Sequence, residues 1–245
     1  MSGAANEVLE QLWARKSVRA FSDEPVTAEE RRLILEAACQ APTAGNQQLY
    51  TIVDVTDQAE KERLADLCDH QPFIAKAPLV LVFCADCDKW LRAYGFAGIE
   101  ARRPGVGDLL LAVSDANIAA QNAVMAAWSL GVGSCYIGDV MERCEEMRGL
   151  LALPEWVFPA AMVVFGRPTA QQAERQKPSR VPLGAVVCEN RYVPWDETTA
   201  REALAERAGI KGYDAWVRAF CARKYESGFS REMTRSVEQY LEMFQ

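Results

Sequence analysis

Arg15-Lys16-Ser17-Val18-Arg19 places three cations and a hydroxyl within five residues, directly after a short helical stretch. Ala41-Pro42-Thr43-Ala44-Gly45-Asn46-Gln47-Gln48 is a small, polar, loop-forming segment between a helix and an apolar run. Guanidinium forks match phosphate oxygens, and a hydroxyl completes such a shell. On an extended segment Arg15, Ser17 and Arg19 share one face, each roughly 6–7 Å from the next. The two segments have the makings of a phosphate-bearing cofactor site. A solvated basic turn is the alternative reading of the first segment taken alone.

Other motifs carry less. Gly131-Val132-Gly133-Ser134-Cys135-Tyr136-Ile137-Gly138 has a displaced third glycine and leads from a helix into a strand, the reverse of the dinucleotide fingerprint. Gly133 and Gly138 have phosphate-loop spacing, but Asp139 stands where a lysine is required. Cys84-Ala85-Asp86-Cys87 has the spacing of half a zinc site, yet His70 is the only histidine, so no metal site is expected. These cysteines read as strand-end thiols and His70 as a helix-end residue. Trp128 and Trp156 read as core or interface, and Gln121 as a buried helix polar group.

The elements that must position these residues follow from periodicity. Helices are predicted over 5–14, over 31–40 behind a Thr27/Glu30 capping box, over 58–68, over 114–130 closed by Gly131, and over 141–151. Strands are predicted over 51–55, 79–84, 135–137 and 160–165. Residues 86–112 show no clear period and read as a lid or binding loop, with Trp90, Tyr94 and Phe96 as candidates for stacking on a substrate. Strands and helices mix without regular βαβ alternation, giving an α+β fold. Residues 1–195 form the expected main domain and 196–245 a helical C-terminal extension, packed on that domain or on a partner subunit.

Half of the 245 residues are apolar and the net charge is -7, so a nucleic-acid-binding face is not expected. The eight cysteines lack a disulfide rhythm and read as reduced. With no leader pattern and no apolar run long enough to span a bilayer, a cytoplasmic location without membrane association is expected.

Further segments match in order: Ala20-Phe21, Pro25-Val26, Ala120-Gln121-Asn122-Ala123, the 130–138 turn, Leu150-Leu151-Ala152-Leu153-Pro154 and Phe165-Gly166-Arg167-Pro168. With the two opening segments, this series resembles the flavin-dependent nitroreductase family over roughly residues 12–192. It departs at Leu49-Tyr50, where the family pattern continues with Pro-Trp.

The resemblance implies an FMN-binding sandwich, with a mixed, mostly antiparallel sheet flanked by helices, acting as an intertwined homodimer with FMN at the subunit interface. It implies that Arg15, Lys16 and Ser17 hold the phosphate end and Arg19 the pyrimidine edge. Pro42, Thr43, Ala44 and Asn46 would come from the partner subunit. Ile137 and Gly138 would present backbone near N5, and Arg180, with Lys177, would supply late phosphate cations. The implied activity is two-electron, ping-pong transfer from NAD(P)H to a small-molecule acceptor such as a nitroaromatic, quinone or flavin. The cofactor carries that chemistry, so no catalytic acid, base or nucleophile is required. Reductive dehalogenation, flavin fragmentation, dehydrogenase chemistry and a non-catalytic flavin-binding module are the alternatives.

Overall fold

The computed structural model describes residues 6–245. The described residues form two compact units, one running to Arg175 and including Glu232–Gln245, the other Gln176–Arg231.

In chain order the elements are α1 (Glu7–Ala14), α2 (Ala28–Cys39), β1 (Tyr50–Asp54), α3 (Gln58–Leu67), α4 (Pro72–Ala75), β2 (Leu79–Asp86), α5 (Asp88–Phe96), α6 (Val106–Ser129), β3 (Gly133–Ile137), α7 (Cys144–Leu150), β4 (Val157–Gly166), α8 (Ala170–Glu174), α9 (Glu197–Ala208), α10 (Tyr213–Lys224) and α11 (Gly228–Leu241). The start of the helix expected over 5–14 lies outside the described residues.

The sheet runs β1-β2-β4-β3 with every ladder antiparallel. One isolated parallel bridge joins Ser17 to Ser134. β2 and β4 are buried along their whole length, as their unbroken apolar runs require of central strands. Pro159 enters the central strand β4 where the register shifts opposite Phe83 and Cys84, a bulge that tolerates its missing donor.

α2 and α6 cover one face, where Ile34, Ala38, Ala116, Ala120 and Ala123 pack on Leu81, Phe83, Val163 and Phe165. α3, α4 and α7 cover the other, with Leu64, Ile74 and Met147 against Val80, Val82, Met162 and Val164. α6 has the length and composition of a membrane span, but its alanine face is the floor of this core.

The expected irregular stretch 86–112 is corrected. α5 occupies its first part, and α6 begins at Val106 rather than at Ser114. Ser114 is not a cap; its hydroxyl donates to the Leu110 carbonyl one turn back, at 2.9 Å.

The chain's last residues close the first core. Tyr240 meets Phe158 edge-to-face at 5.0 Å, Phe244 is buried beside them, and the Trp156 indole donates to the Met243 carbonyl at 2.7 Å. In the second unit Arg201 joins α9 to α10 by pairing with Asp214 at 3.1 Å and lying 4.6 Å from the Tyr213 ring.

Candidate functional site

Arg15 leaves α1 in an extended conformation, and the chain then runs beside β3. Val18 N–H donates to the Ser134 carbonyl at 2.9 Å and the Val18 side chain is fully buried. With Val18 pointing inward, its neighbours take the opposite side, as strand alternation requires. Ser17, Arg15 and Arg19 converge on the Cys135 thiol of β3. Burial pushes that thiol up, while the Arg19 charge, the Ser17 hydroxyl and the Arg15 charge pull it down. The Tyr136 phenol is pushed up to about 12 by burial, opposed by the Arg15 charge.

One Arg15 guanidinium nitrogen, Nη1, is buried without a hydrogen-bond partner among the described residues, and so is the Ser134 hydroxyl. An unpartnered buried guanidinium N–H is costly, so this corner suits an anionic oxygen. The Arg19 side chain is exposed, with its backbone N–H fixed by Gln172 Oε1 at 3.0 Å. Lys16 is used differently. Its ammonium donates to the carbonyls of Ala173 and, at 2.6 Å, Arg175, where it closes the C-terminal end of α8.

The second segment forms a tight loop between α2 and β1. Gly45, Asn46 and Gln48 take positive φ, the Thr43 hydroxyl accepts from Gln48 N–H at 3.1 Å, and Pro42 and Asn46 are exposed. Ile137 ends β3 buried, whereas Gly138 is exposed and opens a short turn. Asp139 in that turn accepts from Gln71 Nε2 at 2.5 Å. Behind the site, Arg167 holds the 130–138 turn by donating to the Leu130 carbonyl and to Glu30, each at 2.5 Å. Lys177 and Arg180 belong to the second unit, where the Arg180 guanidinium donates to the Pro178 carbonyl at 3.2 Å.

The nitroreductase family model matches residues 12–167, most of the chain. The chain belongs to that family. It is 33% identical over 241 residues to an FMN reductase (NAD(P)H) of Bacillus subtilis, covering 97% of this chain and 92% of that protein. An oxygen-insensitive NADPH nitroreductase of Salmonella typhimurium is 37% identical over 189 residues, covering 77% of this chain and 76% of its own. Among solved structures, the NADPH:FMN oxidoreductase of Vibrio harveyi complexed with NAD+ superposes with a TM-score of 0.82 at 26% identity, covering 96% of this chain and 98% of that one.

The expected stacking residues separate. Trp90 and Tyr94, with ring centroids 5.8 Å apart, line a cavity of about 250 Å³ with Gln47, Leu49, Leu91 and Arg102. Phe96 is 89% exposed and does not line it. Cys84 and Cys87 are buried and pushed up to about 12, chiefly by burial, which makes them inert core thiols. His70 is exposed beside Asp66, and no cluster of metal-ligating residues occurs among the described residues. Gln121 is exposed rather than buried. Sequence reasoning missed Ser134 and Cys135 as part of the site. It also missed Asp115, the only charged residue of α6 after Asp108, although its placement on the alanine face was a usable signal.

Proposed function

We propose that this protein is a cytoplasmic, homodimeric, FMN-dependent NAD(P)H oxidoreductase. When bound, FMN supplies ping-pong transfer of two electrons from NAD(P)H to a nitroaromatic, quinone or flavin. The observation that carries this reading is the convergence of Arg15, Ser17 and Arg19 on Cys135, with a buried Arg15 N–H and the Ser134 hydroxyl both lacking partners among the described residues.

In this reading Arg15 and Ser17 hold the phosphate, and Lys16 fixes α8 behind it while adding positive charge. Arg19 neutralises charge that develops at the pyrimidine edge, the electrostatic contribution a flavin site needs from its protein. Ile137 and the exposed backbone of Gly138 meet the ring near N5. Pro42, Thr43, Ala44 and Asn46 reach it from the partner subunit. Trp90 and Tyr94 offer aromatic faces to a planar acceptor. The FMN and NADPH named for the relatives support the same assignment.

The homodimer is supported by apolar side chains that α6 leaves uncovered. Val106, Leu110, Leu111 and Ile118 are exposed, more apolar surface than a monomer's core helix needs to show.

The visible absorbance spectrum of the purified protein, before and after anaerobic NADPH, tests the reading. A flavin band that bleaches with NADPH and returns on adding a quinone is expected. Colourless protein that takes up no added FMN refutes it.

A further inference from the structure

The loop that carries Pro42, Thr43, Ala44 and Asn46 is held from two sides by groups of opposite polarity. The Asp115 carboxylate on α6, only 2% exposed, accepts the backbone N–H of Ala44 at 3.0 Å through one oxygen and that of Leu49 at 3.2 Å through the other. α5 supplies donors from its own side. Trp90 Nε1 donates to the Gln47 carbonyl at 2.8 Å, and Lys89 Nζ to the carbonyls of Gln48, at 3.3 Å, and Tyr50. The N–H groups of the loop thus face a buried anion, and its carbonyls face an indole and an ammonium.

This arrangement answers a local difficulty. Asn46 and Gln48 hold left-handed backbone, which costs free energy for residues with a Cβ and persists only where the surroundings enforce it. The buried carboxylate in turn needs donors to offset its desolvation. Loop and carboxylate each supply what the other lacks.

We propose that Asp115 is a positioning residue of the flavin site. It fixes the backbone of residues 41–49 so that Pro42–Asn46 meets the cofactor, with Trp90 and Lys89 completing the hold. The proposal rests on the flavin reading above and extends it to a side chain that does not itself touch the cofactor. By the same reading, Asp115 of each subunit prepares the loop that serves its partner's flavin.

Asp115→Asn tests it in the FMN-loaded dimer, because the amide keeps the size but turns a donor toward one of the two backbone N–H groups. FMN titration is expected to show a dissociation constant raised about tenfold or more, the scale of one lost hydrogen bond to a charged group. The visible circular dichroism of the bound flavin changes with it, while the far-ultraviolet spectrum stays that of the wild type. Trp90→Phe removes the opposing donor alone, and the double variant should lose less than the sum of the two single effects, since both act on one loop. Wild-type affinity with an unchanged flavin signal overturns the proposal, and so does strict additivity. Should Asp115→Asn not fold, amide exchange in the wild-type holoprotein decides. Slow exchange at Ala44 and Leu49 supports the clamp, and exchange as fast as in exposed loops overturns it. Wild-type protein that binds no FMN refutes the flavin reading itself, an outcome separate from equal binding by wild type and variant.

Discussion

Val18 fills the space that Gly133 leaves open: a Cβ on Gly133 would lie 2.5 Å from Val18 Cγ2 and 2.8 Å from its Cβ. This contact seats the basic segment on β3, since Val18 also donates to the Ser134 carbonyl and its neighbours Ser17 and Arg19 take their direction from it. Glycine at 133 is needed for close approach, not for backbone freedom. Gly133→Ala should therefore push the segment off the strand, at a cost of about 1–3 kcal/mol for the overpacked site. A thermal melt lowered by several degrees, together with weaker FMN retention, is the expected outcome. Wild-type values for both would show that the segment is not held by this contact.

Arg15 and Lys16 should separate by variant. Arg15→Ala removes a half-buried guanidinium whose Nη1 is buried without an acceptor among the described residues, and should raise the FMN dissociation constant about tenfold or more. Arg15→Lys keeps the charge without the fork and should fall between. Lys16→Ala frees the carbonyls of Ala173 and Arg175, and should lower the melting temperature more visibly than FMN affinity. Titration of each variant with FMN alongside a melt distinguishes them; equal affinity loss for both alanine variants would contradict the division of roles.

Local signals were the legible ones. The Thr27/Glu30 box caps α2 with Glu30 N–H donating to Thr27 Oγ1 at 3.2 Å, and Gly131 closes α6 at φ 74°. Both are settled by residues a few positions apart, so sequence carries them. The first turns of α6 were hidden because Leu110 and Leu111 are exposed beside the buried Leu109 and Ala112, which erases the helical period. The actual cap uses Gly105, whose N–H donates to Asp108 Oδ2 at 2.8 Å, a box without the usual hydroxyl. At the site, Arg15 to Arg19 stood out by spacing, but the part of Asp115 depends on contacts 66 and 71 residues away in sequence, which no local pattern reports.

Glu142 should make the docking of the C-terminal helix pH-dependent. It is 6% exposed with Oε1 unpartnered among the described residues, in the turn that α11 grips through Arg143 N–H to Glu232 at 3.2 Å and Ser236 Oγ to the Met141 carbonyl at 2.7 Å. Burial first, then the charges of Asp139, Asp69 and Glu232, push its carboxyl up to about 7, with Arg143 opposing. The folded state thus binds the proton more tightly than the unfolded chain. The stabilisation is complete below the ordinary glutamate range and is lost as pH rises through about 7. Glu142→Gln, neutral at every pH, should melt above wild type at alkaline pH, with the gap closing in acid. Trp156 fluorescence reports the same change, since its indole holds the Met243 carbonyl. Parallel pH profiles for wild type and variant would remove Glu142 from this role.

Tyr94 should act on the acceptor and Phe96 should not. Tyr94 lines the cavity beside Trp90 and the Gln47–Leu49 end of the loop, whereas Phe96 stands 89% exposed outside it. Loss of one aromatic face removes an interaction on the order of 0.5–1.5 kcal/mol, a few-fold to roughly tenfold change in KM. Tyr94→Leu is therefore expected to raise KM for a quinone or nitroaromatic by that factor while leaving the rate of flavin reduction by NADPH near wild type. Phe96→Ala should change neither. Stopped-flow kinetics of the two half-reactions separate these effects. Equal KM values for wild type and Tyr94→Leu would place the acceptor elsewhere and leave the cavity a packing feature between α5 and the start of α6.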